Sequence, residues 1–409
     1  MGLGVAALAV AAVAACGGTE PMRIGVVVDC MGVQRPLKAA EESGAQLPLL
    51  ERGGRRDGDG LATATVAGRP VELVSACVES LGFSTLTGEL RRLAEDEDVD
   101  AVVAAATGVD EIVLRDVARA HPGVSFVALA HGPREVTLQD PAPNLYRFEA
   151  DYGQGVAGLA TYAYDTLGWR RVAIVDAAWV IGWAHRDAFA AEFCALGGRI
   201  TDQIGIPVLD PTGRDAARVP TAADGVAVFT ARFAGPERFL RRLGERLGEP
   251  AQRLVVGPGV VDDPQLLATM RRRLDRVVGA SHNDPRRMQA FMERHHRHFP
   301  GMPAAVAADE AVTGYRDAVE ALLQALERAD GDLRRLPDAL ADLRIELLGG
   351  TVRLDERRQA VASTSLVRID GTGASTPVER IAARDGVDQS LGGVLPDDLR
   401  PANRPVACG

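Results

Sequence analysis

The sequence predicts an α/β protein made of two similar lobes in series, and three observations support this fold class. Short apolar runs rich in β-branched residues, typical of strands buried on both faces, alternate with segments of helical periodicity. The alternation ends near Leu129 and starts a second time near Gly153. The chain has 409 residues, enough for two or three domains with their own cores. Each series therefore predicts a parallel sheet with helices on both faces.

The first series predicts four strands and two helices. The predicted strands cover residues 23–29, 71–76, 99–104 and 124–129, and the predicted helices cover residues 86–96 and 112–121.

The second series predicts a longer set of elements. The predicted helices cover residues 153–167, 185–196, 286–298 and 307–329, and the predicted strands cover residues 171–176, 225–230, 253–257, 276–279, 351–354 and 363–369. Gly197 and Gly198 end the second of these helices, as glycines often do. From Gly371 onward the sequence is poor in periodic signal.

Composition excludes some classes of partner. The 46 basic residues against 56 acidic ones give a formal net charge of −10, which argues against a nucleic-acid binder with a basic face. Aromatic residues make up only 4 %, too few to predict a platform for stacking bases. We therefore expect no nucleic-acid partner.

The N-terminal segment predicts export. Residues 3–15 are apolar and uncharged, too short for a membrane-spanning helix of about 20 residues but long enough for a signal-peptide core. The run ends in small residues before Cys16, which resembles the lipobox of bacterial lipoproteins. Residues 1–15 are then a signal peptide, and lipid on Cys16 anchors the protein to the outer face of the cell membrane. A buried Ala-rich helix is the alternative interpretation.

Export would place the remaining cysteines in an oxidising compartment, where disulfides persist. These are Cys30, Cys77, Cys194 and Cys408, and none of them forms a C-x-x-C pair. Four cysteines allow three connectivities, and spacing alone does not choose among them.

No motif predicts catalysis, a cofactor or a metal site. The sequence contains no G-x-S-x-G, H-E-x-x-H, Walker A or dinucleotide-binding pattern. His295 and His298 would share a helix face, but Arg294 and Arg297 beside them would repel a cation. A solvated basic helix face is the preferred interpretation, and we do not expect an enzyme.

The order of several short motifs resembles a known family. Residues 23–32 look like the opening strand of type 1 periplasmic solute-binding proteins of ABC importers. Residues 144–154 and 167–175 are similar to the stretch that enters their second lobe. Residues 315–326 and 348–355 resemble a late helix and the segment after it. The resemblance spans residues 23–369 and is closest to the leucine/isoleucine/valine-binding (branched-chain amino acid) family.

This resemblance implies two Rossmann-like lobes, the type 1 periplasmic-binding-protein fold, with a ligand cleft between them. Lobe I would take residues 22–145 and return in residues 283–350. Lobe II would take residues 146–282 and return in residues 351–409. Cys30 and Cys77 would then follow adjacent strands of lobe I, and Cys194 and Cys408 would both fall in lobe II, so these pairs are the expected disulfides.

The resemblance also implies where the ligand would be held. Thr107 stands where the family places a hydroxyl for the ligand carboxylate, and it is equally a natural helix N-cap; both roles can hold. Trp179 or Trp183 would supply an aromatic ring, although either would also suit the core or the surface. Arg232 could pair with an anionic group. The full set of expected contacts is Ala106, Thr107, Gly108, Ala130, His131, Trp179, Ile181, Trp183, Thr230 and Arg232.

The implied function is capture of a small polar solute, an amino acid or a related compound, and its delivery to an ABC permease by hinge closure. We expect a monomer. Two alternatives remain open. One is a ligand-sensing receptor of the same fold that acts on a membrane sensor, and the other is a nucleoside-binding lipoprotein of the basic membrane protein family, which residues 121–126 and 152–158 faintly resemble.

Overall fold

The computed structural model describes residues 20–58, 60–79, 83–105, 110–129, 132, 135–138, 141–207, 213–230, 236–381 and 408. None of the helices in these ranges has both the length and the apolar character needed to cross a membrane.

The first sheet has seven strands in the spatial order β2-β3-β4-β1-β5-β6-β7. In chain order they are β1 (Met22–Met31), β2 (Arg55–Arg56), β3 (Ala62–Val66), β4 (Arg69–Glu79), β5 (Ala101–Ala105), β6 (Ser125–Leu129) and β7 (Leu145–Arg147). The strands from β4 to β7 in this order are parallel, and β2 and β3 add an antiparallel edge.

The second sheet also has seven strands, in the order β17-β16-β12-β11-β10-β8-β9. They are β8 (Arg171–Ala177), β9 (Arg199–Ile206), β10 (Gly225–Phe229), β11 (Leu254–Val256), β12 (Val278–Ser281), β16 (Thr364–Ile369) and β17 (Ser375–Ile381). The strands from β12 to β9 are parallel, whereas β16 and β17 are antiparallel additions. A third, small sheet is formed by β13 (Arg344–Leu347), β14 (Gly350–Leu354) and β15 (Ala360–Val361).

Helices cover both faces of each large sheet. The α-helices of the described chain are α1 (Lys38–Glu51), α2 (Phe83–Glu95), α3 (Asp110–Ala120), α4 (Glu135–Leu138), α5 (Leu159–Thr161), α6 (Val180–Ala195), α7 (Glu237–Leu247), α8 (Pro250–Arg253), α9 (Pro258–Val261), α10 (Pro264–Met270), α11 (Pro285–His298), α12 (Ala304–Ala307), α13 (Glu310–Arg328) and α14 (Leu336–Ala341).

Alternation along the central strands explains this layering, because successive side chains of a strand point to opposite faces. In β1, Val26 and Val28 belong to the core under α1 and α13, and Val27 belongs to the core under α2 and α3. In β8, Ile174 packs on the α5–α6 side and Val175 on the α7–α10 side. We call the first sheet with its helices lobe I and the second sheet with its helices lobe II.

The chain passes between the lobes in three crossing segments. They are residues 148–154 after β7, residues 282–284 after β12 and residues 362–363 after β15. Between the second and third crossings, α13 packs against α1 and on the lobe I core. The order of segments confirms the predicted two-lobe α/β fold.

Disulfide bonds join Cys30 to Cys77 and Cys194 to Cys408, with Cα–Cα distances of 5.4 and 5.1 Å. These are the pairs expected from the resemblance. In the first, β1 and β4 are neighbouring parallel strands, and Val28 lies opposite Cys77 in their register.

The predicted helix at residues 153–167 is wrong as a single element. A 3₁₀ turn covers Gln154–Val156, α5 follows after a break, and Tyr162–Thr166 forms a π-helical turn. Gly158 has a φ of 81°, a left-handed conformation that interrupts the helix. Glu192 stabilises the break by accepting hydrogen bonds from the backbone N–H groups of Gly158 at 3.0 Å and Thr161 at 2.9 Å. Tertiary contacts with α6 thus override the helical pattern.

Two further differences concern element boundaries. The helix expected to begin at His185 begins at Val180, with only Ala178 and Trp179 between it and the end of β8. The segment after Gly371, which has little periodic signal, contributes the edge strand β17, paired with β16. Pairing with an existing strand supplies hydrogen bonds that a weak local pattern does not reveal.

Candidate functional site

The carboxyl ends of the parallel strands define the candidate site. Ligands of open α/β sheets bind beyond these ends. In lobe I, β1, β5 and β6 end at Met31, Ala105 and Leu129, and the first crossing leaves after the neighbouring β7. In lobe II, β12 ends at Ser281, directly before the second crossing. Because the crossings leave from these edges, the two edges face each other across a cleft.

An aromatic and histidine cluster forms the floor of this cleft on the lobe II side. The His185 ring, on α6, lies 5.7 Å from Tyr152, 5.9 Å from Phe229 and 6.5 Å from His282 between ring centroids. His185 and Tyr152 are almost fully buried, and His282 is 9 % exposed. Tyr152 and His282 belong to different crossing segments, so this cluster joins α6 to two of the three crossings.

A buried ion pair joins β8 to α6, and its arginine follows His185 in the chain. Asp176, near the end of β8, is 1 % exposed and lies 3.7 Å from the Arg186 guanidinium on α6. Burial raises the pKa of Asp176 to about 7, against the lowering effect of Arg186. Arg186 also donates a hydrogen bond to Asp187 at 2.7 Å.

The lobe I edge carries three carboxylates from three elements. Asp29 is near the end of β1, Glu41 is in the first turn of α1, and Asp110 begins α3. The Asp29 backbone N–H donates to Glu41 at 2.8 Å. Burial and the neighbouring Asp29 raise the pKa of Glu41 to about 8 and that of Asp110 to about 6. Like charges brought together in a poorly hydrated place disfavour ionisation.

A fully buried ion pair anchors the first crossing. Arg147 in β7 pairs with Glu111 of α3, and both side chains are completely buried. Arg147 also donates to the Gln359 side chain at 2.8 Å, and Gln359 donates to the Glu149 carbonyl at 3.0 Å. The pair therefore connects α3, at the lobe I edge, to the first crossing. Through Gln359 it also reaches the segment that precedes the third crossing.

A pocket lies among the crossings. Its lining includes Glu149, His282 and Ser363, one residue from each crossing. Asp317 of α13 also lines it and accepts a hydrogen bond from the Leu348 backbone N–H at 2.9 Å.

The structure places four of the expected contact residues at the lobe II edge. Trp179 is the N-cap residue of α6, Ile181 and Trp183 lie in its first turns, and all three are half-buried. Thr230, directly after β10, is 2 % exposed, and its hydroxyl has no hydrogen-bond partner among the described residues. The other expected positions lie outside the described residues: Cys16, Ala106, Thr107, Gly108, Ala130, His131 and Arg232.

Sequence reasoning missed the carboxylates and the histidine cluster. Asp29 and Asp176 each end an apolar strand run, a signal visible in the sequence. Glu41, Asp110 and His185 lie in helices with no pattern that separates them from surface residues.

The interpretation of His295 as part of a solvated basic face is wrong. His295 is 1 % exposed and its Nε2 lies 2.8 Å from the Ser43 hydroxyl, so it joins α11 to α1. Phe299 stacks on its ring at 4.9 Å. Burial, followed by the charges of His296 and His298, lowers the pKa of His295 to about 4. The arginines beside it occupy other faces of the helix.

Comparison with known families identifies the class. Residues 21–374 match the family model described as periplasmic binding protein. The chain belongs to this family of extracytoplasmic, non-enzymatic transport components, and it is a solute-binding protein of the ABC-transporter type. Such proteins bind small solutes and deliver them to ABC permeases. A search of curated protein sequences finds no match.

Solved structures show the same fold over nearly the whole chain. An ABC transporter substrate-binding protein from Sphaerobacter thermophilus is 25 % identical with a TM-score of 0.77, covering 89 % of this chain and 98 % of the other. A solute-binding protein from R. palustris in complex with benzoate is 21 % identical with a TM-score of 0.72, covering 91 % and 100 %. A leucine binding protein from Thermotoga maritima is 20 % identical with a TM-score of 0.69, covering 88 % and 99 %.

Proposed function

We propose that this chain is a lipid-anchored solute-binding protein that captures a small polar solute, an amino acid or a related compound, and delivers it to an ABC permease by hinge closure. The proposed lobes are residues 22–145 with 283–350 for lobe I, and residues 146–282 with 351–409 for lobe II. Residues 1–15 are the proposed signal peptide, and Cys16 is the proposed site of lipid attachment.

The observation that carries this proposal is the cluster of His185, Tyr152 and His282 at the cleft floor. It links a helix at the lobe II edge to two crossings, and the Glu111–Arg147 pair links the lobe I edge to the first of them. A solute that contacts both edges would favour the closed arrangement, because its contacts with the second lobe form only on closure.

The proposed solute-contact residues include Trp179, Ile181, Trp183 and Thr230 at the lobe II edge. The buried hydroxyl of Thr230 supports this assignment, since a buried polar group without a partner costs free energy that a ligand can recover. The proposed contacts that follow β5, β6 and β10 in the sequence are Ala106, Thr107, Gly108, Ala130, His131 and Arg232.

A thermal-shift screen tests the proposal. Protein starting after Cys16 is heated with amino acids, nucleosides, amides and small carboxylates in turn. A true ligand stabilises the native state by about 2.7 kcal/mol at one hundred times its dissociation constant. If no solute raises the melting temperature, or if a solute that does so is chemically converted, the proposal is wrong.

The site assignment is tested with the solute that the screen finds. Thr107→Val and Thr230→Val should each weaken its binding, measured by calorimetry, because each loses a hydroxyl hydrogen bond. Thr269→Val is the matched control, since the Thr269 hydroxyl bonds only the Gln265 carbonyl of its own helix. Unchanged affinity in both cleft variants would place the site elsewhere.

Anchoring is tested separately in a bacterial host. The wild-type chain should appear in the membrane fraction with lipid on Cys16, and Cys16→Ser should block both lipid attachment and processing. Mass spectrometry of the mature N-terminus reports the modification. An unmodified Cys16 in the wild-type protein would exclude the anchor but leave solute binding intact.

A further inference from the structure

We propose that the solute carries a positively charged nitrogen, an ammonium or guanidinium group, that binds against Asp29, Glu41 and Asp110 at the lobe I edge. This inference rests on the proposed solute-binding function and names the chemical class of the solute.

The first support is the position of the three carboxylates. They come from β1, α1 and α3, and all three lie at the carboxyl edge of the lobe I sheet where a ligand would dock. Glu41 is 1 % exposed and Asp110 is 7 % exposed. The charge of Asp29 acts on both Glu41 and Asp110, and ionised carboxylates in a poorly hydrated place repel one another, so a cation beside them would relieve this cost.

The second, independent support is an unpaired atom. Asp110 is more than nine-tenths buried, and its Oδ1 has no hydrogen-bond partner within the described residues. Burial, followed by the charge of Asp29, raises the pKa of Asp110 to about 6, so Asp29 is the described charged group that acts on this carboxyl. Buried polar atoms are almost always paired, and an exception at a binding edge indicates the place of an absent donor.

The opposite wall has the same sign of charge. Asp262 follows α9 in lobe II, and Glu310 begins α13 in lobe I. Burial raises the pKa of Asp262 to about 7 against the lowering effect of hydrogen bonds from Ser281 and His282, and the charge of Glu310 adds to the rise. Closure of the two lobes around a cation would bring these carboxyl groups together with less repulsion than closure around an anion.

Several cationic side chains described near the cleft already have carboxylate partners. Arg186 pairs with Asp176 and Asp187, Arg316 pairs with Asp317, and Arg147 pairs with Glu111. Lys38, at the start of α1, pairs with Glu42 at 3.3 Å. A carboxylate solute would therefore meet net negative charge, whereas an amine would meet its counter-charge.

Metal coordination is a weaker explanation. Among the described residues, no group of three or more histidine, cysteine, aspartate or glutamate side chains has the arrangement needed to hold a metal ion. A metal ion requires convergent ligands at fixed distances. An organic cation with a delocalised charge or a flexible chain does not.

Calorimetric titration at pH 8 with agmatine, putrescine and choline tests the inference, with benzoate and glucose as the anionic and neutral comparisons. At least one amine should bind, and benzoate should not. If benzoate or glucose binds and no amine does, the inference is wrong while the solute-binding function stands. If no solute of any class binds here or in the wider thermal-shift screen, the proposed function itself fails.

Substitutions locate the amine on the protein. Asp110→Asn and Glu41→Gln should each weaken amine binding at least tenfold, and both keep the shape of the side chain. Glu72→Gln, an exposed glutamate on β4, is the matched control and should leave the affinity unchanged. Circular dichroism verifies that each variant is folded. Wild-type affinity in both cleft variants would overturn the assignment.

The release of a proton on amine binding distinguishes a direct role of Glu41 in binding from a purely structural one. Glu41 faces Asp29 on β1, Asp309 and Tyr315 from the α13 side, and Glu42 on its own helix. A bound cation lowers the pKa of Glu41, so binding near pH 7.5 should release a proton, and affinity should rise from pH 6 to pH 8. Titrations in phosphate and HEPES buffers, which differ in ionisation enthalpy, measure this release. Glu41→Gln should reduce it, and the absence of any release in the wild-type protein would contradict the inference.

Discussion

Gly225, the first residue of β10, shows how closely the lobe II core is packed. A Cβ atom built at this position would lie 2.0 Å from the Trp169 ring. The indole is 2 % exposed, and its N–H donates to the Gln252 carbonyl at 2.9 Å. The ring therefore has little room to move away, and glycine is required for space.

We predict that Gly225→Ala destabilises the protein by about 1–3 kcal/mol, the usual cost of overpacking a well-filled core. The free energy of unfolding in urea measures the effect. Gly88→Ala is the matched control, because Gly88 is exposed in α2 and its Cβ would contact nothing within 4 Å. That variant should be neutral or up to about 1 kcal/mol more stable, since alanine favours helix. Equal effects at both positions would disprove the packing argument.

At the scale of elements, the Glu111–Arg147 pair holds α3 against β7 where the chain leaves lobe I. Both side chains are fully buried, and Arg147 extends the contact to Gln359 before the third crossing. Removing one partner of a buried pair leaves an uncompensated charge, and this costs more than removing both.

We predict that Arg147→Met destabilises the protein by about 3–5 kcal/mol, and that Glu111→Gln in the same chain recovers part of this loss. A double-mutant cycle of unfolding free energies measures the coupling between the two residues. Arg52→Met with Glu327→Gln is the comparison pair, since Glu327 is about half exposed and its coupling should be small. Strictly additive effects at Glu111 and Arg147 would show that the pair is not coupled.

The Cys30–Cys77 disulfide joins two strands, β1 and β4, that already pair in the first sheet. Cys30 and Cys77 lie on neighbouring strands and are 47 residues apart in the chain. We predict that replacing both by serine lowers the free energy of unfolding by about 2–4 kcal/mol, chiefly because the unfolded chain gains freedom. Urea unfolding measures the loss, and peptide mapping without reductant verifies the pairing. A Cys30–Cys194 linkage in that map would contradict the two-lobe assignment.

At the scale of the whole molecule, stability should depend on pH through the buried carboxyl groups. The pKa of Glu41 is raised to about 8 and those of Asp176 and Asp262 to about 7. An acid with a raised pKa binds more protons in the native state than in the unfolded state. This contribution to stability is therefore greatest below the ordinary pKa of the unfolded carboxyl group, about 4, and is lost as the pH rises from there to the native pKa.

We predict that the free energy of unfolding decreases between pH 5 and pH 8, by up to about 1.4 kcal/mol per pH unit for each proton involved. Glu41→Gln should flatten this slope, because glutamine does not titrate. Glu72→Gln should leave it unchanged. Urea unfolding at several pH values measures the slopes, and a slope that Glu41→Gln does not alter would show that Glu41 is not the group responsible.

Much of the fold was predictable because its signals are local. The apolar run of β1 and the β-branched run of β10 both predict buried strands, and both are strands. The break at Gly158 was not predictable, since it depends on Glu192 more than thirty residues away. β17 was missed for the same reason, because its hydrogen bonds come from β16 and not from a pattern of its own.

The candidate site was predictable only in part. Trp179, Ile181, Trp183 and Thr230 stay predictions. The resemblance implies them as contacts, and they lie at the start of α6 and directly after β10, at the edge that the carboxyl ends of the parallel strands share. Glu41 and Asp110 were missed, since an acidic residue in a helix usually faces solvent. The burial of His295 was missed for a similar reason, since its partner Ser43 lies on a distant helix.

The sequence by itself determined the two α/β lobes, the family and the edge of each sheet where a ligand would bind, because strand and helix periods are properties of neighbouring residues. Only the tertiary structure decided which charges meet at that edge. Asp29, Glu41 and Asp110 are separated along the chain, and parallel strand pairing brings β1, α1 and α3 to one place. Burial there, and not residue type, raises the pKa values of Glu41 and Asp110, and this is the basis of the proposed preference for positive charge.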